Sequence, residues 1–218
     1  MLGKKFERFE KEEHEGFFSG LYRRNEIFLI VSVVLFMSSM FIGYFLSGII
    51  DQFMGETLRS FTESVRQGKI KLETVSIFMN NLKIAFFMYA GGIIVGIITV
   101  GLLVFNGLFI GYAASKYPIG DFILYTLPHG IFEITGIIIA GTAGFRLASG
   151  ILRIIGDITR IRGYLPLKKQ LIQIMHMNSE ELKESLILFG IAVILILIGA
   201  FIEANFTLSW GSYIKGII

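Results

Sequence analysis

Long apolar blocks alternate with short charged stretches along this chain. Residues 27–50 hold 24 positions without a charge, residues 84–115 hold 32 and residues 186–202 hold 17, while residues 122–145 are broken only by His129 and Glu133. A hydrocarbon core of about 30 Å takes roughly 20 apolar residues as a helix. Soluble cores do not supply several such runs in 218 residues. The 32-residue block would be about 48 Å long as one helix, at about 1.5 Å per residue, so it must break. Asn106-Gly107 is its turn signal. The predicted membrane segments are therefore residues 27–50, 81–105, 107–127, 129–150 and 184–206 of a single membrane domain spanning 1–218. The expected fold is all-α, a polytopic membrane helical bundle of about five spans. Residues 107–127 form either a crossing broken around Lys116-Tyr117-Pro118 or a re-entrant hairpin, because broken helices are tolerated at membrane depth where they line protein or water.

Between the spans the periodicity changes. Met54, Leu58, Phe61 and Val65 recur at helical spacing with Glu56, Arg59, Glu63 and Arg66 opposite, which predicts an amphipathic helix within an outer segment, residues 51–75. Residues 1–26 mix charges with Phe6, Phe9, Phe17 and Phe18 and read as a cytoplasmic interfacial segment leading to Arg23-Arg24. Residues 150–183 form a basic loop: span four projects past the membrane until Gly163, and Pro166 opens a short amphipathic helix. Asn178 and Glu181 then have the spacing of a capping box ahead of span five.

The distribution of positive charge selects among topologies. If residues 107–127 cross, 13 Lys and Arg share a side with the N-terminus and seven lie opposite. If they do not cross, the basic loop moves to the other face and the balance reverses. The positive-inside bias favours five spans, in a multi-pass protein of the cell membrane with its N-terminus cytoplasmic. The basic loop is explained by topology and by contact with anionic lipid, so no nucleic-acid partner is expected. With no cysteine there is no disulfide framework and no thiolate nucleophile or ligand.

Small residues at four-residue spacing (Gly92/Gly96, Gly107/Gly111, Gly136/Ala140/Gly144) allow close helix approach in lipid. They suit packing within the bundle and also a homodimer. The sharper feature is Leu127-Pro128-His129-Gly130-Ile131-Phe132-Glu133, which sets His129 and Glu133 on one helix face inside a span. Ionisable groups there are costly and face the bundle or a wet cavity. Five spans bring the other terminal polar residues to the same depth: Asn80, Asn81 and Lys83 of span two, Glu203 and Asn205 of span five. The pair His129/Glu133 supplies at most two metal ligands and lacks the His-Glu-x-x-His arrangement of helical zinc hydrolases, so no metal is expected, nor any other cofactor or catalytic residue.

Asn81-x-Lys83-x-Ala85-Phe86, the Gly-rich span two, Asn106-Gly107, Leu127-Pro128-His129-Gly130-x-x-Glu133 and Ile139-Ala140-Gly141-x-Ala143-Gly144-x-Arg146-Leu147 together resemble the stage II sporulation protein M family. The resemblance covers most of the chain and is most specific over residues 80–147. It implies a polytopic membrane protein and singles out Asn81, Lys83, Asn106, His129, Glu133 and Arg146. The sporulation member is a membrane partner of peptidoglycan-remodelling enzymes, which implies a non-enzymatic organiser or partner subunit with a membrane or cell-envelope protein partner. The alternative is a small transporter or channel with an outer-leaflet polar site around His129 and Glu133. An intramembrane hydrolase is a third, more distant reading.

Overall fold

The computed structural model describes residues 16–69, 71, 73–159 and 166–216, and within them the chain is helical apart from short connecting turns, with no strand. The readings for residues 1–15 and for Gly163 fall outside that range. In order, the helices are α1 (Phe17–Phe45), α2 (Asp51–Arg66), α3 (Thr74–Ala90), α4 (Ile97–Ser115), α5 (Ile119–Thr159), α6 (Leu167–Met177), α7 (Ser179–Ile202) and α8 (Leu208–Lys215). A 3-10 turn at Gly91–Ile94 follows α3, and a π-helical segment, Glu203–Thr207, joins α7 to α8. Five helical stretches are long and apolar enough to cross a membrane: Phe17–Phe45, Thr74–Ile94, Ile97–Ser115, Ile119–Thr159 and Ser179–Lys215.

The burial pattern inverts that of a water-soluble bundle. α1 buries Gly20, Asn25, Ser32, Ser39 and Gly43, yet leaves Ile27 74% and Phe45 73% exposed. Lipid solvates large apolar side chains, so the bundle interior instead collects small residues that let backbones approach and polar ones that bond across helices. The central apolar core joins Phe36, Ala85, Met88, Leu103, Ala140 and Ile196 from five helices.

α1 starts at Phe17, within the segment read as interfacial, and two further boundaries differ from the sequence reading. The 32-residue block breaks at residues 91–96, not at Asn106-Gly107. Val95 (φ 53) and Gly96 (φ 80) take left-handed conformations that reverse the chain, and a Cβ at Gly92 would overlap the Gly144 backbone. The Thr99 hydroxyl donates to the Met88 carbonyl at 2.7 Å, satisfying one of the carbonyls that the end of α3 leaves over. Asn106 sits mid-helix, its amide donating to the Leu102 carbonyl one turn back at 2.7 Å. The helix before the break begins at Thr74, so both arms, at about 28–32 Å, match the hydrocarbon thickness. Residues 107–127 are accordingly neither one broken span nor a re-entrant hairpin: 107–115 end α4 and 119–127 begin α5. The second difference is that α5 runs on through Pro128 instead of starting there; the ring removes one donor, but the helix on both sides is held by its neighbours.

Parallel packing of α1 on α4 and the contact of α5 with α7 dominate the tertiary structure. Cβ atoms at Gly107 or Gly111 would meet the α1 backbone at Phe36 and Met40, and one at Gly136 would meet Ile196 of α7. The small-residue spacings thus serve contacts within this chain. Asn178 is not a side-chain cap for α7; its amide donates to Asp157 Oδ2 at 2.9 Å and to the Ile174 carbonyl at 2.9 Å, tying α6 and α7 back to α5.

The chain order therefore sorts the connections into two ends. Residues 46–69, 116–118 and the C-terminal α8 lie at one, where the polar cluster is found. Arg23, Arg24, Arg146, Arg153, Lys168, Lys169 and Lys183 lie toward the other. At about 62 Å by the helical rise, the 41-residue α5 exceeds the hydrocarbon core and extends beyond it at this basic end.

Candidate functional site

A cavity of about 560 Å³ opens among α2, α3, α4, α5 and the π segment. α5 contributes His129 and Glu133, one turn apart on its inner face; α3 contributes Asn80 and Asn81; α4 contributes Asn106; the π segment contributes Glu203. Phe61, Phe105, Phe109 and Phe122 supply aromatic wall, and Thr57, Phe61 and Val65 of α2 line the cavity from that helix. At its deep end the cavity reaches Phe36 and Ile137, which belong to the central core.

One ligating atom from each of His129, Glu133 and Glu203 lies within 4.8 Å of those of the other two, and all three residues are half-buried. Asn81 donates from Nδ2 to Glu133 Oε1 at 2.8 Å. His129 Nδ1 lies 3.1 Å from Thr207 Oγ1, and that hydroxyl lies 3.4 Å from the Ile202 carbonyl. When the hydroxyl donates to this carbonyl its oxygen accepts from Nδ1–H, which leaves the Nε2 lone pair free. π turns of this kind are frequent at functional sites, and here the wide turn seats Glu203 and Thr207 against α5. Gly199 makes the approach possible, since a Cβ there would overlap the Glu133 side chain. Among the described residues no lysine or arginine lines the cavity, so the two carboxylates share it with an imidazole, amides and the hydroxyls of Thr57 and Thr126.

A model of the family described as Stage II sporulation protein M matches residues 32–208. The chain belongs to that family. The match spans the cavity and every residue assigned to it above. Two uncharacterised proteins of Methanocaldococcus jannaschii are similar to this member of the stage II sporulation protein M family. One is 29% identical over 191 residues, covering 85% of this chain and 97% of the relative. The other is 26% identical over 194 residues, covering 85% and 83%. No solved structure gives a significant match.

Of the residues selected from sequence, the structure brings Asn81, Asn106, His129, Glu133 and Glu203 to one cavity. Lys83 is exposed and does not line it. Arg146 stands apart from the group: it lies further along α5, toward the basic end, where its Nη2 meets Glu184 Oε2 at 2.7 Å. Arg24 Nε pairs with the other oxygen of Glu184, and Asn25 Nδ2 donates to Oε2 at 3.2 Å. Arg153 and Glu181 pair beside them at 2.5 Å. In this stage II sporulation protein M family member, then, Arg146 and the set His129, Glu133 and Glu203 belong to two separate groups, an arginine-rich clamp near the basic end and an acidic pocket at the other. Thr207 and Gly199 were not selected from sequence. A lone threonine near a span end carries no signal, and Gly199 is one of 25 glycines.

At the same end of the bundle, Asp51 at the start of α2 accepts from the Tyr112 hydroxyl at 2.6 Å and from Lys116 Nζ at 2.5 Å. The Lys116 hydrogen bond, and next that of Tyr112, hold the Asp51 carboxyl below its ordinary value of 3.8. Asp51 in return raises the Lys116 ammonium above its ordinary 10.5, chiefly through the same hydrogen bond. This contact moors α2 to the end of α4.

Proposed function

We propose that this protein is a non-enzymatic membrane partner subunit that works by binding, with the cavity beneath α2 as its ligand site. The observation that carries the reading is the convergence of Asn81, His129, Glu133 and Glu203, from three separate parts of the chain, on one cavity of about 560 Å³. Ionisable side chains inside spans are expensive and mark ligand sites or pathways. The groups are already oriented by neighbours, Glu133 by Asn81 and His129 by Thr207, which suits recognition. The likeness to a family whose sporulation member organises envelope enzymes supports a partner role, with the charged face of α2 toward the envelope. By the positive-inside bias the basic end faces the cytoplasm and the cavity end faces outward.

A second reading, a small transporter, is favoured by one observation: the cavity reaches Phe36 and Ile137 at the bundle centre.

The absence of cysteine makes single-cysteine labelling with an impermeant maleimide the test. Ser60→Cys is expected to label from outside intact cells and Lys169→Cys only after the membrane is opened; the reverse pattern inverts the orientation. Asn106→Cys, inside the cavity, is expected to label from the α2 side alone. Labelling from both sides, with solute flux in proteoliposomes that Glu133→Gln abolishes, would replace the binding subunit by the transporter. Labelling from neither side removes the cavity as a ligand site.

A further inference from the structure

We infer that His129, Glu133 and Glu203 form a binding site for a divalent transition-metal cation of the zinc, cobalt or manganese kind. This rests on the reading of the cavity as a ligand site and names its occupant. Sequence spacing offered only two ligands on α5; the third, Glu203, arrives from the π segment 70 residues later, and the three ligating atoms lie within 4.8 Å of one another. Zinc takes imidazole nitrogen and carboxylate oxygen at about 2.0–2.2 Å. Two ligands of one tetrahedral centre are then about 3.4 Å apart by the same bond lengths, a contraction that rotation of the two Glu side chains supplies.

Three further features of the site fit a cation. The two half-buried carboxylates line one cavity with no lysine or arginine among its described lining residues, so a cation between them would remove a like-charge repulsion. Imidazole ligands characteristically donate their other ring N–H to a fixed acceptor, and ligating carboxylates are themselves hydrogen-bonded. The Thr207 hydroxyl stands at His129 Nδ1 at 3.1 Å and the Asn81 amide at Glu133 Oε1 at 2.8 Å. The cavity also leaves space beside the three side chains, so a fourth position stays available for water or a small anionic ligand.

The donor set narrows the metal. An imidazole among the ligands disfavours magnesium and calcium, which prefer oxygen alone, and a chain without thiolates disfavours copper(I).

The test uses the intact chain in lipid nanodiscs, first stripped with chelator and then titrated with Co2+ and Zn2+. One equivalent per chain is expected to survive gel filtration, with a visible Co2+ absorption band of mixed nitrogen and oxygen coordination. His129→Gln and Glu203→Gln should abolish the band, and Asn81→Ala, which removes only the orienting amide, should weaken binding about 10–100-fold. His176→Gln, an exposed histidine elsewhere, should change nothing. Retained helicity on circular dichroism shows that each variant is folded. Failure of the unaltered protein to hold Co2+ or Zn2+ overturns the inference, as does binding that persists unchanged in both His129→Gln and Glu203→Gln. If metal is absent while Asn106→Cys still labels from the α2 side, the cation falls and the ligand cavity stands.

Discussion

Glu184→Gln tests the clamp near the basic end. The carboxylate serves three donors: one oxygen takes Arg24, and the other takes Arg146 Nη2 at 2.7 Å and Asn25 Nδ2 at 3.2 Å. Gln keeps the shape but removes the charge and turns an amide N–H₂ toward one guanidinium. The two arginines then differ. Arg24 has a side chain 35% exposed and can turn to water or headgroups, so its share is about 0–1 kcal/mol. Arg146 is 8% exposed and Glu184 5%, so Arg146 becomes an uncompensated buried charge, a loss of roughly 3–5 kcal/mol. Nearly the whole effect should therefore pass through Arg146. A double-mutant cycle isolates it: Glu184→Leu and Arg146→Leu are each expected to be severely destabilising, whereas the pair together recovers most of the loss, because apolar replacement of a buried ion pair is often neutral. Reversible unfolding in mixed micelles, followed by helical circular dichroism, measures the four corners. A coupling below about 0.5 kcal/mol, within the additivity expected of independent sites, would refute the assignment of the clamp.

The mooring of α2 should have a defined pH window. A carboxyl with a depressed folded value stabilises above its unfolded value and loses that contribution as pH falls through the folded value; an ammonium with a raised value stabilises below its unfolded value and loses it as pH rises through the folded value. With Asp51 below 3.8 and Lys116 above 10.5, the α2–α4 distance read by paired spin labels should stay flat between those pH values and open only outside them. Asp51→Asn should remove the acid step, and a transition near neutral pH would contradict the mooring. In the α1–α4 seam, Gly111→Ala pushes a Cβ into the Met40 backbone and is expected to cost about 1–3 kcal/mol. Gly101→Ala and Gly190→Ala meet open space and should be neutral or stabilising by up to about 1 kcal/mol. Equal effects at the three positions in the same unfolding assay would contradict the seam.

Sequence by itself determined the solvent and the class of fold. Uncharged runs of 17 to 32 residues leave a helical membrane bundle as the stable outcome, because backbone groups in lipid must be satisfied within their own helix. It also marked His129 and Glu133, since ionisable groups at that depth are conspicuous against an apolar background. The family's motifs, read over residues 80–147, lie within the match to residues 32–208. The position of the helix break was beyond its reach. Asn106-Gly107 is the stronger local turn signal, but helical length against bilayer thickness and the contact of Gly92 with Gly144 put the reversal at residues 91–96, and neither effect is local in the chain. The tertiary structure alone decided which charged residues share a site. Arg146 and Glu133 lie 13 residues apart on one helix, about 20 Å by the helical rise, and so belong to separate groups. Glu203 and Thr207 reach His129 only through a π turn and the space left at Gly199. Depth along a helix follows from counting residues, but proximity between helices depends on packing, which no single segment encodes.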